Sequence, residues 1–282
     1  MADEDDLGFT PDEIGEWSER KIEIATKYAK EFSKIVGSNR FRTHYIDGFC
    51  GGGFHLRKET QERIRGTAVR IVEEVSPPFE KYHLVDADLE KASAMAKRLS
   101  GRPNIKVYPG DANLVLLNEV FPAIQWSNYD RALCFLDPYR ILLNWGVLVH
   151  AGRSRAMDVI LHFPTGDVQR NVLRRNRSIV SPSDIERMNT MWGDGSWENV
   201  AYREVQTLFG SELEKEPIQN ILDAFCVRLE KEACFKFVSK PLAMKNKTNA
   251  TIYHLIFASQ KDVALKIADY IFEANRYPRL NV

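Results

Sequence analysis

The sequence predicts an α/β fold, a mostly parallel sheet with helices on both faces. Two observations predict it. Short apolar runs alternate with stretches of helical period through most of the chain, the rhythm of strand, crossover helix and next strand. Successive runs also end in an acid or a glycine-rich turn: Tyr45-Ile46-Asp47 before Gly48, Leu84-Val85-Asp86, Val107-Tyr108 before Pro109-Gly110-Asp111, and Leu136-Asp137-Pro138. In open α/β sheets ligands bind in the crevice at the carboxyl ends of the strands, so these turns mark a binding edge.

Composition sets the bounds. With 282 residues the chain suits one large domain with additions, read here as an acidic disordered tail (1–10) and a domain over 11–282 carrying an insertion at 168–217. No apolar run approaches the roughly 20 residues that span a bilayer, and Asp3-Glu4-Asp5-Asp6 is unlike a signal peptide, so a soluble cytoplasmic protein with no membrane association is expected. Cys50, Cys134, Cys226 and Cys234 form no Cys-x-x-Cys pair and the histidines are scattered, so neither a disulfide framework nor a metal site is expected. The 39 basic and 39 acidic residues cancel, which leaves only a local basic surface to hold a nucleic acid.

In chain order, a helix is expected from Pro11 to about Gly37, with Trp17 and Lys21 in structural roles. The first strand and its glycine turn follow, and then a charged loop over 54–65 that either faces substrate or is simply solvated. Thr67 is placed to cap a helix over 68–75, stopped by Pro77-Pro78. Further strands are expected over 81–86, 105–108, 132–136 and 157–163, with helices over 92–99 and 112–120 between them. Within the insertion, 178–216 is rich in turn signals and short helical patterns. A helix over 218–232, strands over 235–242 and 252–258, and a closing helix over 263–275 complete the chain.

The glycine turn discriminates between cofactors. A dinucleotide fingerprint needs Gly-x-Gly-x-x-Gly running into a helix, and Leu56 stands where the third glycine belongs. Asp47-Gly48-Phe49-Cys50-Gly51-Gly52-Gly53 instead resembles the Asp-x-Phe-x-Gly-x-Gly turn of many S-adenosylmethionine (SAM) methyltransferases. That resemblance implies that Asp47, Phe49, Gly51 and Gly53 surround the methionine part of the cofactor, with Cys50 a small buried neighbour. Asp86, at the second strand tip, has two oxygens for the two ribose hydroxyls, while Asp88 caps the next helix. Asp111 either accepts from the adenine amino group, with Ala112 beside the ring, or caps the helix that follows it.

Asp137-Pro138-Tyr139 resembles the Asp/Asn-Pro-Pro-Tyr/Phe motif of methyltransferases that act on exocyclic amino groups, without its second proline. In that motif the carboxylate and a backbone carbonyl accept the amino hydrogens, and the aromatic ring stacks on the base. Arg140 adds a cation beside it, and Arg170, Arg174 and Arg175 belong to the only concentrated basic run, either a solvated face or a phosphate contact. Cys134 lacks the preceding proline of a cytosine-attacking nucleophile.

Taken together, Trp17 with Lys21, the glycine turn, Gly66-Thr67, Leu136-Asp137-Pro138-Tyr139 with Trp145, and Met244-Lys245-Asn246 before Tyr253-His254-Leu255-Ile256-Phe257-Ala258-Ser259 resemble the three-Cys-motif partner (TcmP) proteins of bacteria and their mobile elements. The resemblance spans nearly the whole chain. It implies a class I methyltransferase (Rossmann-like) sheet of strand order 3-2-1-4-5-7-6 with an inserted helical and irregular region, and association with a separate cysteine-motif protein. Two positions depart from the pattern: Gly52 stands where proline is common, and Arg140 where glycine is common. The expectation is a SAM-dependent methyltransferase acting on an amino group of a nucleic acid base or nucleotide. The alternative is a catalytically degenerate partner protein of the same fold.

Overall fold

The computed structural model describes residues 8–208 and 210–276. Its centre is one sheet of strands β1 (Arg42–Asp47), β2 (Lys81–Asp86), β3 (Ile105–Pro109), β4 (Asp130–Leu136), β5 (Met157–Phe163), β6 in two pieces (Phe237–Val238 and Leu242–Lys245) and β7 (Thr251–Ser259). The spatial order is β3-β2-β1-β4-β5-β7-β6. Strands β1 to β5 run parallel, and β7 lies antiparallel between β5 and β6. This is the class I methyltransferase sheet that the sequence predicts.

Helices α1 (Glu16–Gly37), α2 (Thr67–Glu74), α3 (Leu89–Arg98), α4 (Ala112–Val115), α5 (Trp145–Ser154), α6 (Pro182–Trp192), α7 (Ile218–Lys231) and α8 (Asp262–Ala274) cover both faces. Side chains alternate across a strand, so a fully covered sheet needs continuous apolar runs. Leu133 and Phe135 of β4 pack with Tyr28, Val69, Met95 and Phe272 on the face of α1, α2, α3 and α8. Cys134 and Leu136 pack with Val115, Leu148 and Phe225 on the opposite face. No helix among the described residues is long and apolar enough to cross a membrane.

Three expectations in the first part of the chain are corrected. Helix α1 begins at Glu16, because Asp12–Ile14 is a strand that pairs in parallel with Phe54–Arg57. Three residues bracketed by Pro11 and Gly15 are too few to wind a turn, and the ladder supplies partners for their backbone groups. Residues 54–65 are accordingly a hairpin of Phe54–Arg57 with Arg63–Arg65, and Arg57 anchors it to α1 by a two-point bond to Glu19 at 2.8 Å. Gly66 rather than Thr67 stands at the N-cap of α2.

Within the insertion, α6 and the short helix Trp197–Ala201 match the helical patterns, whereas Tyr202–Thr207 and Gly210–Lys215 form an antiparallel hairpin. The second of these strands is almost wholly exposed, so no apolar period marked it. The expected strand over 235–242 is interrupted before Leu242 and resumes to Lys245, since Pro241 has no N–H for the ladder. Of the acidic tail, residues 1–7 lie outside the described residues.

Candidate active site

Strand register brings the acids together. Asp47 lies opposite Leu84 of β2 and Phe135 of β4, so Asp86 and Asp137 each emerge two residues beyond it on the neighbouring strands. Asp86 lies opposite Pro109 of β3, and Asp111 emerges two residues further on. The carboxyl edge of four adjacent strands therefore carries one row of acids around the glycine turn.

The turn is fastened from below. Asp47 is 1 % exposed, and its carboxyl accepts from the Phe49 N–H at 3.1 Å and the Tyr45 hydroxyl at 3.0 Å. Burial pushes the Asp47 carboxyl up to about 7. Gly48 N–H donates to Phe135 O, Cys50 N–H to Val85 O and Gly51 N–H to Asp86 Oδ2, at 3.0, 2.9 and 2.7 Å, so the turn is stitched to β4 and β2. Gly51 and Gly53 have φ of +64° and +94°, a region that favours glycine, and nothing lies within 4 Å of where a Gly51 side chain would start. Gly52 differs, because a Cβ there would sit 2.3 Å from the Phe9 ring. The glycine at 52 and the phenylalanine at 9 thus fit each other, and Lys91 pairs with Asp12 at 2.7 Å to hold the same segment across the front of α3.

Asp86 accepts from Gly51 N–H and, at 2.9 Å, from Asp88 N–H. Asp88 caps α3 by accepting from Glu90 and Lys91, as the sequence predicts. Asp111 caps α4 by accepting from Leu114 N–H at 3.0 Å, and Ala112 is buried beside it.

Asp137 sits in an ionic cluster. Its Oδ2 is paired with the Lys21 ammonium of α1, and its Oδ1 lies 2.5 Å from His162 Nδ1 at the end of β5. Burial opposes its charge, but the Lys21 ammonium and the His162 hydrogen bond outweigh burial and hold the carboxyl well below the usual range. Burial lowers His162, which favours a neutral ring with its proton on Nδ1, facing the carboxylate, and a lone pair on Nε2. The ring stacks on Tyr253 at 4.0 Å, and Tyr253 donates to Trp17 O at 2.9 Å.

Pro138 is buried, whereas Tyr139 is 83 % exposed with the Arg140 guanidinium 5.6 Å from its ring. Asp167 after β5 accepts from Ile141 N–H at 3.1 Å and so fixes the far end of this loop. Arg170, Arg174 and Arg175 follow the carboxyl end of β5 in the chain, are exposed and form no ion pair among the described residues.

The donor and acceptor set fits a SAM-type cofactor. Acids in a row suit a sulfonium cation, an ammonium and vicinal hydroxyls, and the Gly51 backbone is open. His55 Nδ1, on the hairpin beside Gly66, is buried without a hydrogen-bond partner, a polar atom available to such a ligand.

No family model and no curated protein matches the chain. Solved structures with a similar arrangement include protein LPL1258 from Legionella pneumophila str. Philadelphia 1, at 9 % identity and TM-score 0.47 over 89 % of each chain. Trm1 from Pyrococcus horikoshii, solved with S-adenosyl-L-methionine, aligns at 15 % identity and TM-score 0.45 over 89 % of this chain, which spans 58 % of Trm1. The plantazolicin methyltransferase BpumL, solved with SAH, aligns at 9 % identity and TM-score 0.36 over 86 % of this chain and 85 % of its own.

Two residues of the cluster carry no functional role in the sequence reading. Lys21 is expected in a structural role and His162 lies in an apolar strand, while His55 belongs to the charged loop that either faces substrate or is solvated. The available signal was a mismatch: a lysine on the buried face of α1 with Ile24, Ala25 and Tyr28, and a histidine in the run Ile160-Leu161-His162-Phe163. Charged and polar groups in such places need partners.

Proposed function

We propose that the chain is a SAM-dependent methyltransferase whose acceptor is an amino group of a nucleic acid base or nucleotide. The observation that carries the reading is the row of glycine turn, Asp86, Asp111 and Asp137 at consecutive strand ends. Gly51 leaves backbone open to the methionine part, Gly53 lets the turn pack against Val69, and Asp47 and Phe49 set the shape of the turn beneath it. Asp86 accepts from the ribose hydroxyls, and Asp111, with Ala112 beside it, meets the adenine. The cofactor supplies a sulfonium methyl group, whose transfer is downhill, so the work of the protein is alignment.

At the acceptor end, a carboxylate has about four lone-pair sites. Lys21 and His162 take one on each oxygen of Asp137, which leaves lone pairs for an amino hydrogen, while the Pro138 carbonyl accepts a second. Tyr139 is free to stack on an unpaired base, and Arg140, Arg170, Arg174 and Arg175 offer charge to its phosphates. Calorimetric titration with SAM and SAH tests the cofactor site. The wild type binds and Asp86→Ala does not; a well-folded wild type that binds neither ends the enzymatic reading. Transfer of labelled methyl to RNA, DNA or nucleotides then tests the acceptor, and undiminished transfer by Asp137→Ala removes its assigned role.

Two contacts favour a second reading, a partner protein that keeps the fold without the chemistry. Phe9 covers Gly52, and Asp137 is already held by two basic side chains. Stoichiometric capture of a three-Cys-motif protein, with no SAM binding, is the result that selects it.

A further inference from the structure

At the opposite end of the sheet from the acid row, a cavity of about 300 Å³ opens between the second half of α1, the first half of α8 and the amino ends of β4 and β5. The volume lies at the lower limit of small-molecule sites, roughly 300–1,000 Å³. Its floor is apolar, built from Phe32, Val36, Met157, Ala264 and Ile267. Three cations line it: Arg131, Arg155 and Lys261. None of the three forms an ion pair among the described residues. Arg131 is held in place, with its guanidinium 4.3 Å from the Phe41 ring centroid and 3.3 Å from that of Trp126, and Lys261 lies 5.6 Å from Trp126.

One acid stands in the wall. Asp158 accepts from the Tyr28 hydroxyl at 2.7 Å and from Ser259 Oγ at 2.5 Å; burial pushes it up to about 6, so it is charged at neutral pH and attracts Lys261, which leaves the cations in excess by two. The wall is thus apolar over its depth and carries three cations against one acid. We infer that this cavity binds a small amphipathic monoanion, a carboxylate with an aliphatic tail, with the tail against Phe32, Met157 and Ile267 and the headgroup among Arg131, Arg155 and Lys261. The site is independent of the cofactor crevice and of the methyltransferase reading.

Calorimetry on the full chain with octanoate and the uncharged 1-octanol tests the inference. Octanoate is expected to bind one to one, and 1-octanol about tenfold more weakly, since it lacks the charge. The variant Arg155→Glu/Lys261→Glu changes two exposed side chains and should abolish the preference for the anion. Ile267→Trp fills the floor and should abolish binding while thermal unfolding stays cooperative. Equal affinity for the two ligands overturns the inference, as does octanoate binding that survives Ile267→Trp. So does a well-folded wild type that ignores octanoate; self-association lost in Ile267→Trp would then assign the groove to a protein contact.

Discussion

Lys21, on the buried face of the first helix, pairs with Asp137, which stands 116 residues later at the tip of the fourth strand. The pair is nearly enclosed, with side-chain exposures of 10 % and 21 %, so the two charges depend on each other. Lys21→Met leaves the carboxylate with His162 alone, and removing one partner of a buried pair costs about 3 kcal/mol. Chemical denaturation should show that loss, and Lys21→Met/Asp137→Leu should recover most of it. A single variant as stable as wild type would mean that the pair is solvated.

Phe9 and Gly52 form a second coupled pair, because a methyl group at 52 would enter the Phe9 ring. Gly52→Ala should dislodge Phe9, and Phe9→Ala should free the same segment, with proteolysis within residues 8–15 about tenfold faster in each, from partial loss of a phenylalanine's burial. The double variant should be cleaved no faster than either single one, since both remove the same contact. Mass spectrometry of thermolysin fragments reads the outcome.

The Asp47 carboxyl, raised from 3.8 to about 7 by burial, makes a pH prediction. Between those values the folded state keeps a proton that the unfolded state releases, so this contribution to stability is complete below pH 4, falls as pH rises towards 7 and is level above it. Asp47→Asn preserves both hydrogen-bond partners and cannot ionise. Its stability relative to wild type should therefore increase from pH 4 to pH 7, as measured by urea midpoints in each buffer. A constant difference would show that Asp47 titrates normally.

Phe225 ties the insertion to the sheet. It is fully buried, with ring centroids 5.6, 5.0 and 5.8 Å from those of Trp145, Phe163 and Trp192. Phe225→Ala should cost about 4 kcal/mol and lower Tm by roughly 10 °C. Both tryptophans should change emission in the same transition; an early separate transition of Trp192 would make the insertion an independent unit.

By itself the sequence determined the sheet and the acids along its carboxyl edge. Strands β1, β2, β4 and β5 are buried on both faces and read as largely apolar runs, and the acids at the carboxyl ends of β1, β2 and β4 are visible without any contact map. The Asp88 cap was legible because its partners lie two and three residues away. What tertiary structure decided are the contacts made at a distance. Asp12–Ile14 looked helical because its partner strand lies over forty residues on. Lys21, His162 and Asp137 became one cluster only when register set the ends of β4 and β5 side by side and α1 crossed them. A local pattern records what a residue's neighbours in the chain require. Which charge compensates a buried charge depends on the packing of whole elements, and that is fixed only when the core closes.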